Sequence, residues 1–261
     1  MKKISALLLV LTLIASCFCF TSCGNKGKTL EQVKAAGKLV IATSPDFPPF
    51  ESLGKDNKVE GIEIEIMEAV CKKLGVTLQI ETMDFDSVLV GVQTGKYDVG
   101  VSGISVTPAR EKNTLFTTPY CLAAQAIVVK TDSTIQGKAD LAGKKISVQS
   151  GTTAEEYCRD KNYDVSSFQN NSDAASALTS GRVDAWVIDD LTAAEMVSQL
   201  EGVKILDEAM TTEPYAFAMA MGSETLRDEI DKIIKELLAD GTIKNLFDKY
   251  NAPYTAPSEA N

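Results

Sequence analysis

The chain has 261 residues, of which 44% are hydrophobic and 24% are charged, and its formal net charge is −10 at pH 7. An acidic protein repels phosphate backbones, so we expect no nucleic-acid partner. The sequence contains no histidine, which removes the usual general base of serine and cysteine nucleophiles and the usual transition-metal ligand. We therefore expect neither a metal nor another cofactor.

The first 22 residues have the pattern of an export signal. Two lysines precede an apolar run over residues 4–14, which has the length of a signal core and is short for a membrane span. Cys17 follows Ala-Ser and Cys23 follows Thr-Ser, a pattern that resembles the acylation site of bacterial lipoproteins. The polar residues after Cys23 favour lipidation at that position. Cys17 is the alternative, because the residue three positions before it fits the lipoprotein pattern better. We expect an exported protein that is lipid-anchored to the cell membrane, faces the extracellular or periplasmic side, and has a flexible tether over residues 23–37.

Apolar and amphipathic segments alternate along the rest of the chain, which predicts an α/β fold. In chain order, the predicted strands are residues 38–43, 77–81, 98–102, 126–130, 145–149, 185–188, 203–206 and 215–221. The predicted helices are residues 63–74, 86–94, 152–160, 173–179, 191–199, 223–239 and 243–249. Three cysteines in this body cannot all pair within the chain, so we expect buried free thiols at Cys71, Cys121 and Cys158.

Two segments in different halves of the chain carry nearly the same pattern. Residues 94–101 and 180–187 share a small residue, Gly, a basic residue, and then Asp before a Val-rich strand. Polar groups follow both strands, at residues 102–105 and at Asp189. Since ligands in open α/β sheets gather outside the carboxyl ends of the strands, two similar lobes would present these groups to one cleft.

The segment after the first of these strands has the composition of a carboxylate-binding loop. Thr107 and Pro108 predict the start of a helix, which places Arg110 in its first turn. The guanidinium offers a fork of donors that matches a carboxylate, and Gly103 lets a ligand approach the backbone. A plain turn with a surface arginine is the alternative. Asp189 would pair with an ammonium group, and the two sites together describe an α-amino acid.

Five ordered segments of the chain match a known family: residues 47–51, 61–66, 102–110, 149–153 and 184–189. Over about residues 38–250 the chain resembles the polar amino-acid-binding lipoproteins of bacterial ATP-binding-cassette (ABC) importers, solute-binding protein family 3. The resemblance implies a two-lobed periplasmic-binding-protein-like fold of type II. Lobe 1 would comprise residues 38–123 and 216–252, and lobe 2 residues 124–215. Two crossing strands around residues 122–126 and 213–217 would join the lobes, and residues 253–261 would form a frayed tail.

The resemblance also implies the function and the roles of the site residues. A monomer would capture a polar L-amino acid and deliver it to a membrane permease, without catalysis. Arg110 would bind the α-carboxylate with Ser105 and Thr153, and Asp189 would hold the α-ammonium with the Gly103 carbonyl and the Ser105 hydroxyl. A dehydratase-type enzyme on the same fold and a ligand-sensing module of a receptor are the alternatives.

The remaining implied positions concern the ligand side chain. Phe47 and Phe85 would sandwich the ligand, Ser102 would line the same wall, and Ser44 and Gln149 would face its side chain. Basic-amino-acid binders carry Asp at the position of Ser44, and glutamine binders carry Lys at the position of Gln149. Neither charge is present here, so these positions leave the identity of the amino acid open. The nearby Asp46 carries a negative charge, but the family motif does not place it in the cleft.

Overall fold

The computed structural model describes residues 27–257. The predicted export signal over residues 1–22 and the predicted lipidation at Cys23 or Cys17 lie outside these residues. Two mixed five-stranded sheets, each covered by helices, form two lobes. Among residues 27–257, no helix has the length and apolar character that a membrane span requires.

The helices and strands alternate as the sequence predicted. The helices are α1 (Leu30–Ala36), α2 (Ile62–Leu74), α3 (Phe85–Gln93), α4 (Pro108–Glu111), α5 (Thr153–Asp160), α6 (Asn171–Thr179), α7 (Asp190–Val197), α8 (Glu224–Ala239) and α9 (Thr242–Lys249). The strands are β1 (Lys38–Thr43), β2 (Asp46–Phe47), β3 (Glu51–Leu53), β4 (Val59–Glu60), β5 (Thr77–Thr82), β6 (Val99–Gly100), β7 (Thr114–Phe116), β8 (Cys121–Ala123), β9 (Gln125–Lys130), β10 (Lys145–Gln149), β11 (Asp164–Phe168), β12 (Ala185–Asp189), β13 (Val203–Ile205), β14 (Glu213–Tyr215) and β15 (Ala218–Ala220).

The two sheets have related strand orders, β5-β1-β6-β15-β7 in lobe 1 and β11-β10-β12-β9-β13 in lobe 2. In lobe 1, β1 pairs in parallel with β5 and β6, and β15 is antiparallel. In lobe 2, β10 pairs in parallel with β11 and β12, and β9 is antiparallel. The segments after β6 and β12 therefore meet where the carboxyl ends of these strands face one another, as the repeated pattern predicted.

The two lobes are joined by two crossing strands. β8 and β14 pair antiparallel, with Cys121 opposite Tyr215 and Ala123 opposite Glu213. β14 lies within one of the two segments predicted for the connection, and β8 overlaps the other by two of its three residues. Cys121 is a buried free thiol, as are Cys71 and Cys158, and this agrees with the prediction for all three.

The predicted flexible tether over residues 23–37 is wrong for its last part, because residues 30–36 form α1. Thr29 caps this helix, and its side chain and that of Gln32 exchange hydrogen bonds with the backbone at 3.3 and 2.8 Å. Val33 is fully buried, and the Lys28 Nζ lies 2.8 Å from Asp98 Oδ1. The capping box therefore stabilises the helix, and the burial of Val33 with the Lys28–Asp98 contact attaches it to lobe 1.

The predicted frayed tail is also wrong for residues 253–257, which pack against lobe 1 and the first crossing strand. The ring of Tyr254 lies 5.0 Å from the ring of Phe247, and its hydroxyl donates to the Tyr120 carbonyl at 3.3 Å. The Leu122 N–H donates to the Thr255 carbonyl at 3.0 Å. One aromatic contact and two hydrogen bonds thus order a segment for which the sequence predicted no ordered structure.

We predict that Tyr254→Ala lowers the free energy of unfolding by about 1–3 kcal/mol, because it removes a half-buried ring and a hydrogen bond. Thr255→Ala is the matched control, because Thr255 contributes its backbone carbonyl to this packing and the substitution leaves that carbonyl in place. Denaturant unfolding followed by circular dichroism measures both. Equal stability of the two variants would contradict the packing of the tail.

Candidate functional site

One cavity lies between the two lobes. Its wall contains nine of the ten residues that were predicted for the site from the sequence. The side chains of its wall nearly fill it, and its volume is about 10 Å³. Lobe 1 contributes Phe47, Phe85, Ser102, Gly103, Ser105 and Arg110 to its wall, and lobe 2 contributes Gln149, Thr152, Thr153 and Asp189. Ser44 is the predicted residue that does not line this cavity, and Thr152 is the lining residue that the sequence analysis did not single out.

Gly103 sits at a position where a side chain would clash. Its φ is +54°, a conformation that glycine adopts with little strain. A Cβ atom there would lie 2.4 Å from the Phe47 ring. The Gly103 N–H donates to Glu63 Oε2 at 2.9 Å. The glycine therefore allows the aromatic ring and the backbone to meet in one wall of the cavity.

Arg110 reaches from α4 across the cleft. Thr107 caps α4 and accepts a hydrogen bond from the Arg110 N–H at 3.2 Å, as predicted. The guanidinium donates to the Ser105 carbonyl at 2.9 Å and to the Gly151 carbonyl of lobe 2 at 3.2 Å, and it lies 5.9 Å from the Phe85 ring. Burial lowers the pKa of Arg110, but a guanidinium stays charged.

Asp189 supplies the opposite charge, from the end of β12 in lobe 2. It is 7% exposed, and one of its oxygens accepts a hydrogen bond from the Tyr215 hydroxyl. Burial raises the pKa of Asp189 to about 7. The hydrogen bond from Tyr215 acts to lower this pKa, and the negative charge of Glu213 acts to raise it. The carboxylate therefore lacks a cationic partner strong enough to offset its desolvation.

The N-terminus of α5 adds backbone donors beside Arg110. Gly151 turns the chain into the helix with φ +79°. Thr152 caps the helix by accepting from the Glu155 N–H at 3.2 Å, and its hydroxyl donates to the Gln149 carbonyl at 2.7 Å. The first N–H groups of a helix lack intrahelical acceptors and favour an anion. Thr153, the first residue of α5, is thus placed next to the guanidinium in the wall of the cavity.

A polar cluster that includes Asp46 adjoins the other end of the cavity. Asp46 Oδ2 accepts from the Asn171 N–H at 2.8 Å and from Gln149 Nε2 at 3.0 Å, both in lobe 2. Asn171 Nδ2 donates to Gln149 Oε1 at 3.1 Å. The Ser44 hydroxyl, which the resemblance aimed at the ligand, donates instead to Asp46 Oδ1 at 2.9 Å. Burial raises the pKa of Asp46.

Besides Thr152, three parts of this arrangement were not predicted from the sequence. Asp46 was noted for its charge but not placed in the cleft, and Asn171 and Tyr215 were not singled out. Both Asn171 and Tyr215 come from elements remote in sequence from their partners, so local periodicity carries no signal for them. Within residues 27–257, no group of three or more Cys, Asp or Glu side chains is arranged to hold a metal ion.

Comparisons with known proteins give a family and several relatives. Residues 39–253 match the family described as bacterial extracellular solute-binding proteins, family 3. The chain is 34% identical to the arginine-binding extracellular protein ArtP of Bacillus subtilis, over 92% of this chain and 96% of that protein. It is 30% identical to the L-cystine-binding protein TcyJ of Escherichia coli, over 85% of each chain.

Solved structures give the same fold. The chain is similar to the amino acid ABC transporter substrate-binding protein AbpA of Streptococcus pneumoniae, bound to L-arginine, with a TM-score of 0.80, 35% identity, and coverage of 84% of this chain and 97% of that one. An ancestral amino acid-binding protein described as a precursor of cyclohexadienyl dehydratase has a TM-score of 0.80, 33% identity, and coverage of 85% of this chain and 99% of its own. Family match, identity and fold agree, and the chain therefore belongs to the bacterial extracellular solute-binding proteins of family 3.

Proposed function

We propose that this protein is the extracytoplasmic substrate-binding component of an ABC importer and that it captures a polar L-amino acid between its lobes for delivery to the permease. The observation that carries the proposal is the pairing of Arg110 and the N-terminus of α5 with the buried Asp189 in one cavity. An α-amino acid is the small molecule whose two charges complement that arrangement.

The charged end of the ligand would be held from both lobes. Arg110 and the Thr153 N–H are suited to the α-carboxylate, since charge-assisted hydrogen bonds to a guanidinium and a helix N-terminus are strong in a desolvated site. Asp189 is suited to the α-ammonium, together with the Ser105 hydroxyl and the Gly103 carbonyl. Binding therefore requires both lobes, which explains how a ligand favours the closed arrangement.

The side chain of the ligand would lie between Phe47 and Phe85 and extend toward Asp46 and Gln149. A carboxylate and an amide at that end favour a cationic or amide side chain. Relatives are named for arginine and for cystine, and the charge of Asp46 favours the cationic ligand. We therefore propose L-arginine as the first amino acid to test.

We further propose that the protein binds without catalysis, needs no cofactor, works as a monomer, and is anchored through an acylated Cys23, with Cys17 as the alternative. Relatives named for binding arginine and cystine support binding without catalysis, and the polar residues after Cys23 support the anchor at that position. A calorimetric titration with L-arginine, L-cystine and L-glutamine, followed by NMR of the recovered ligand, tests binding and the absence of conversion together. Recovery of a changed molecule would favour the dehydratase-type alternative.

Arg110→Ala and Asp189→Ala are each expected to weaken binding by about 30- to several-thousand-fold. Truncating one partner of a desolvated charge pair costs about 2–5 kcal/mol, and about 1.4 kcal/mol is a factor of ten. Arg182→Ala, at an exposed position of lobe 2, is the control. Titration calorimetry measures affinity, and circular dichroism reports the fold. Native-like affinity in either charge variant with an intact fold would remove the amino-acid site as proposed.

Affinity is expected to rise with pH through about 7, because Asp189 has its pKa raised to about 7 by burial. Below that pH the folded protein holds Asp189 protonated, and ligand binding must displace the proton. The affinity should fall by up to about tenfold for each pH unit below the pKa. The Asp189→Asn variant, which cannot titrate, is expected to lose this slope. A parallel slope in both proteins would assign the effect to another group.

Asp46→Asn is expected to lower the affinity for L-arginine at least about tenfold more than that for L-glutamine, since only the cationic side chain loses a charged hydrogen bond. Competition titrations with the two amino acids give the ratio. The control is Asp132→Asn, at an exposed position. An equal loss for both ligands would show that Asp46 only links the lobes.

A further inference from the structure

Two buried glutamates lie behind the wall that Ser102 and Gly103 form in the cavity. Glu51 ends the loop that carries Phe47, and Glu63 lies in the first turn of α2. Both are 0% exposed, and their carboxyl groups are in hydrogen-bonding contact with each other. Among residues 27–257, neither forms an ion pair with a lysine or arginine. Two buried negative charges without a cation would be very costly.

The hydrogen bonds identify which carboxyl group is ionised. Glu63 accepts from two donors, the Gly103 N–H at 2.9 Å on Oε2 and the Tyr120 hydroxyl at 2.7 Å on Oε1, as a carboxylate does. Glu51 Oε1 accepts from the Ser102 hydroxyl at 2.9 Å. Glu51 Oε2 is buried and has no donor from the described residues. A proton on Glu51 Oε2, donated to Glu63, satisfies both groups with one charge.

The pKa shifts of this pair and of the groups around it also favour a protonated Glu51 beside an ionised Glu63. Burial is the largest cause that raises the pKa of Glu51 well above its usual range, and the charges of Glu63 and Asp46 add to it. Burial also raises the pKa of Glu63, opposed by its hydrogen bonds with Glu51, Tyr120 and Gly103. Tyr120 and the neighbouring thiol Cys121 have pKa values raised well above their usual ranges, so both stay neutral.

We propose that Glu51 and Glu63 share one proton and that this acid–carboxylate pair is a positioning element for the ligand site and the connection between the lobes. Glu51 holds the Ser102 hydroxyl, and Glu63 holds the backbone of Gly103, whose carbonyl is assigned to the ligand ammonium. Glu63 also holds Tyr120, which directly precedes the crossing strand β8. The part concerning ligand binding rests on the proposed function, whereas the shared proton does not.

The shared proton makes the stability of the protein depend on pH. The pKa of Glu51 is higher in the folded state than in the unfolded chain, so the folded state binds more protons once the pH exceeds the unfolded value. The free energy of unfolding then falls as the pH rises toward the folded pKa. Glu51→Gln replaces the acid with an amide whose N–H donates to Glu63 at every pH. This variant should therefore lose that part of the pH dependence and keep the wall in place.

The proton itself is tested by infrared spectroscopy of the ligand-free protein. Wild-type protein grown with isotopically labelled glutamate should show the C=O band of a protonated carboxylic acid near neutral pH, and the label should shift it. The label separates Glu51 from Asp189. Glu51→Gln should remove the band, and Glu68→Gln, at an exposed position of α2, should keep it. Absence of a label-sensitive band in the wild type would overturn the proposal without any variant.

The positioning role is tested by stability and by binding. As the pH rises above the range in which a free glutamate titrates, about pH 4–5, thermal unfolding temperatures of the wild type and Glu68→Gln should fall more steeply than that of Glu51→Gln. L-Arginine affinity should stay near native in Glu51→Gln and fall about tenfold or more in Glu51→Ala, which lacks the donor to Glu63. Equal pH slopes, or equal affinities of the two Glu51 variants, would contradict the role. If no amino acid binds, the infrared and stability results still decide the shared proton.

Discussion

Arg110 and Asp189 are held in one narrow cavity, and the placement of these opposite charges is the constraint on which the cleft depends. A buried charge without a partner raises the free energy of the folded state. The pKa of Asp189, raised to about 7 by burial, is a direct sign of that cost. A zwitterionic ligand would supply both missing partners at once. Affinity would then come largely from charges that the protein has already desolvated and oriented.

Closure of the cleft depends on contacts that cross it at two places. Near Arg110, the guanidinium donates to the Gly151 carbonyl of lobe 2. Near Asp46, the carboxylate accepts from Asn171 and Gln149 of the same lobe. The lobes are joined by the crossing strands β8 and β14, and short connections of this kind are where hinge motion of domains is expected. The same residues that are suited to the ligand thus also join the lobes, so binding and closure are expected to be coupled.

The cavity wall has its own supporting layer of polar groups. Ser102 and Gly103 form hydrogen bonds with Glu51 and Glu63, and Glu63 also accepts from Tyr120 at the start of the connection. A hydrogen-bonded layer of this kind fixes the backbone of a wall more tightly than apolar packing alone, because each bond specifies a direction. This layer buries one net negative charge, and that burial raises the free energy of the folded state.

Local patterns in the sequence determined most of the secondary structure and most of the site. The alternation of strands and helices, the repeated segment before residues 102–105 and before Asp189, and the capped turn at Thr107 all depend on neighbours in the chain. These features are visible in sequence because side-chain periodicity and capping act over a few residues. The strands β2, β3, β4, β7 and β11 were not predicted. The first four have only two or three residues each, and β11 is a partly exposed edge strand with two serines.

Tertiary structure alone decided the contacts between groups far apart in the chain. Asp46 meets Asn171 across 125 positions, Tyr215 meets Asp189 across 26, and Glu63 meets Tyr120 across 57. No local period encodes such meetings, because they depend on how the two lobes and their connection pack. The same holds for the raised pKa of Asp189 and for the burial of the Glu51–Glu63 pair, since desolvation is set by the surrounding fold rather than by the residue itself. The sequence by itself determined most of the charged and polar groups of the cleft, Arg110 and Asp189 among them. The packing decided which further groups join them, which groups face each other and with what protonation.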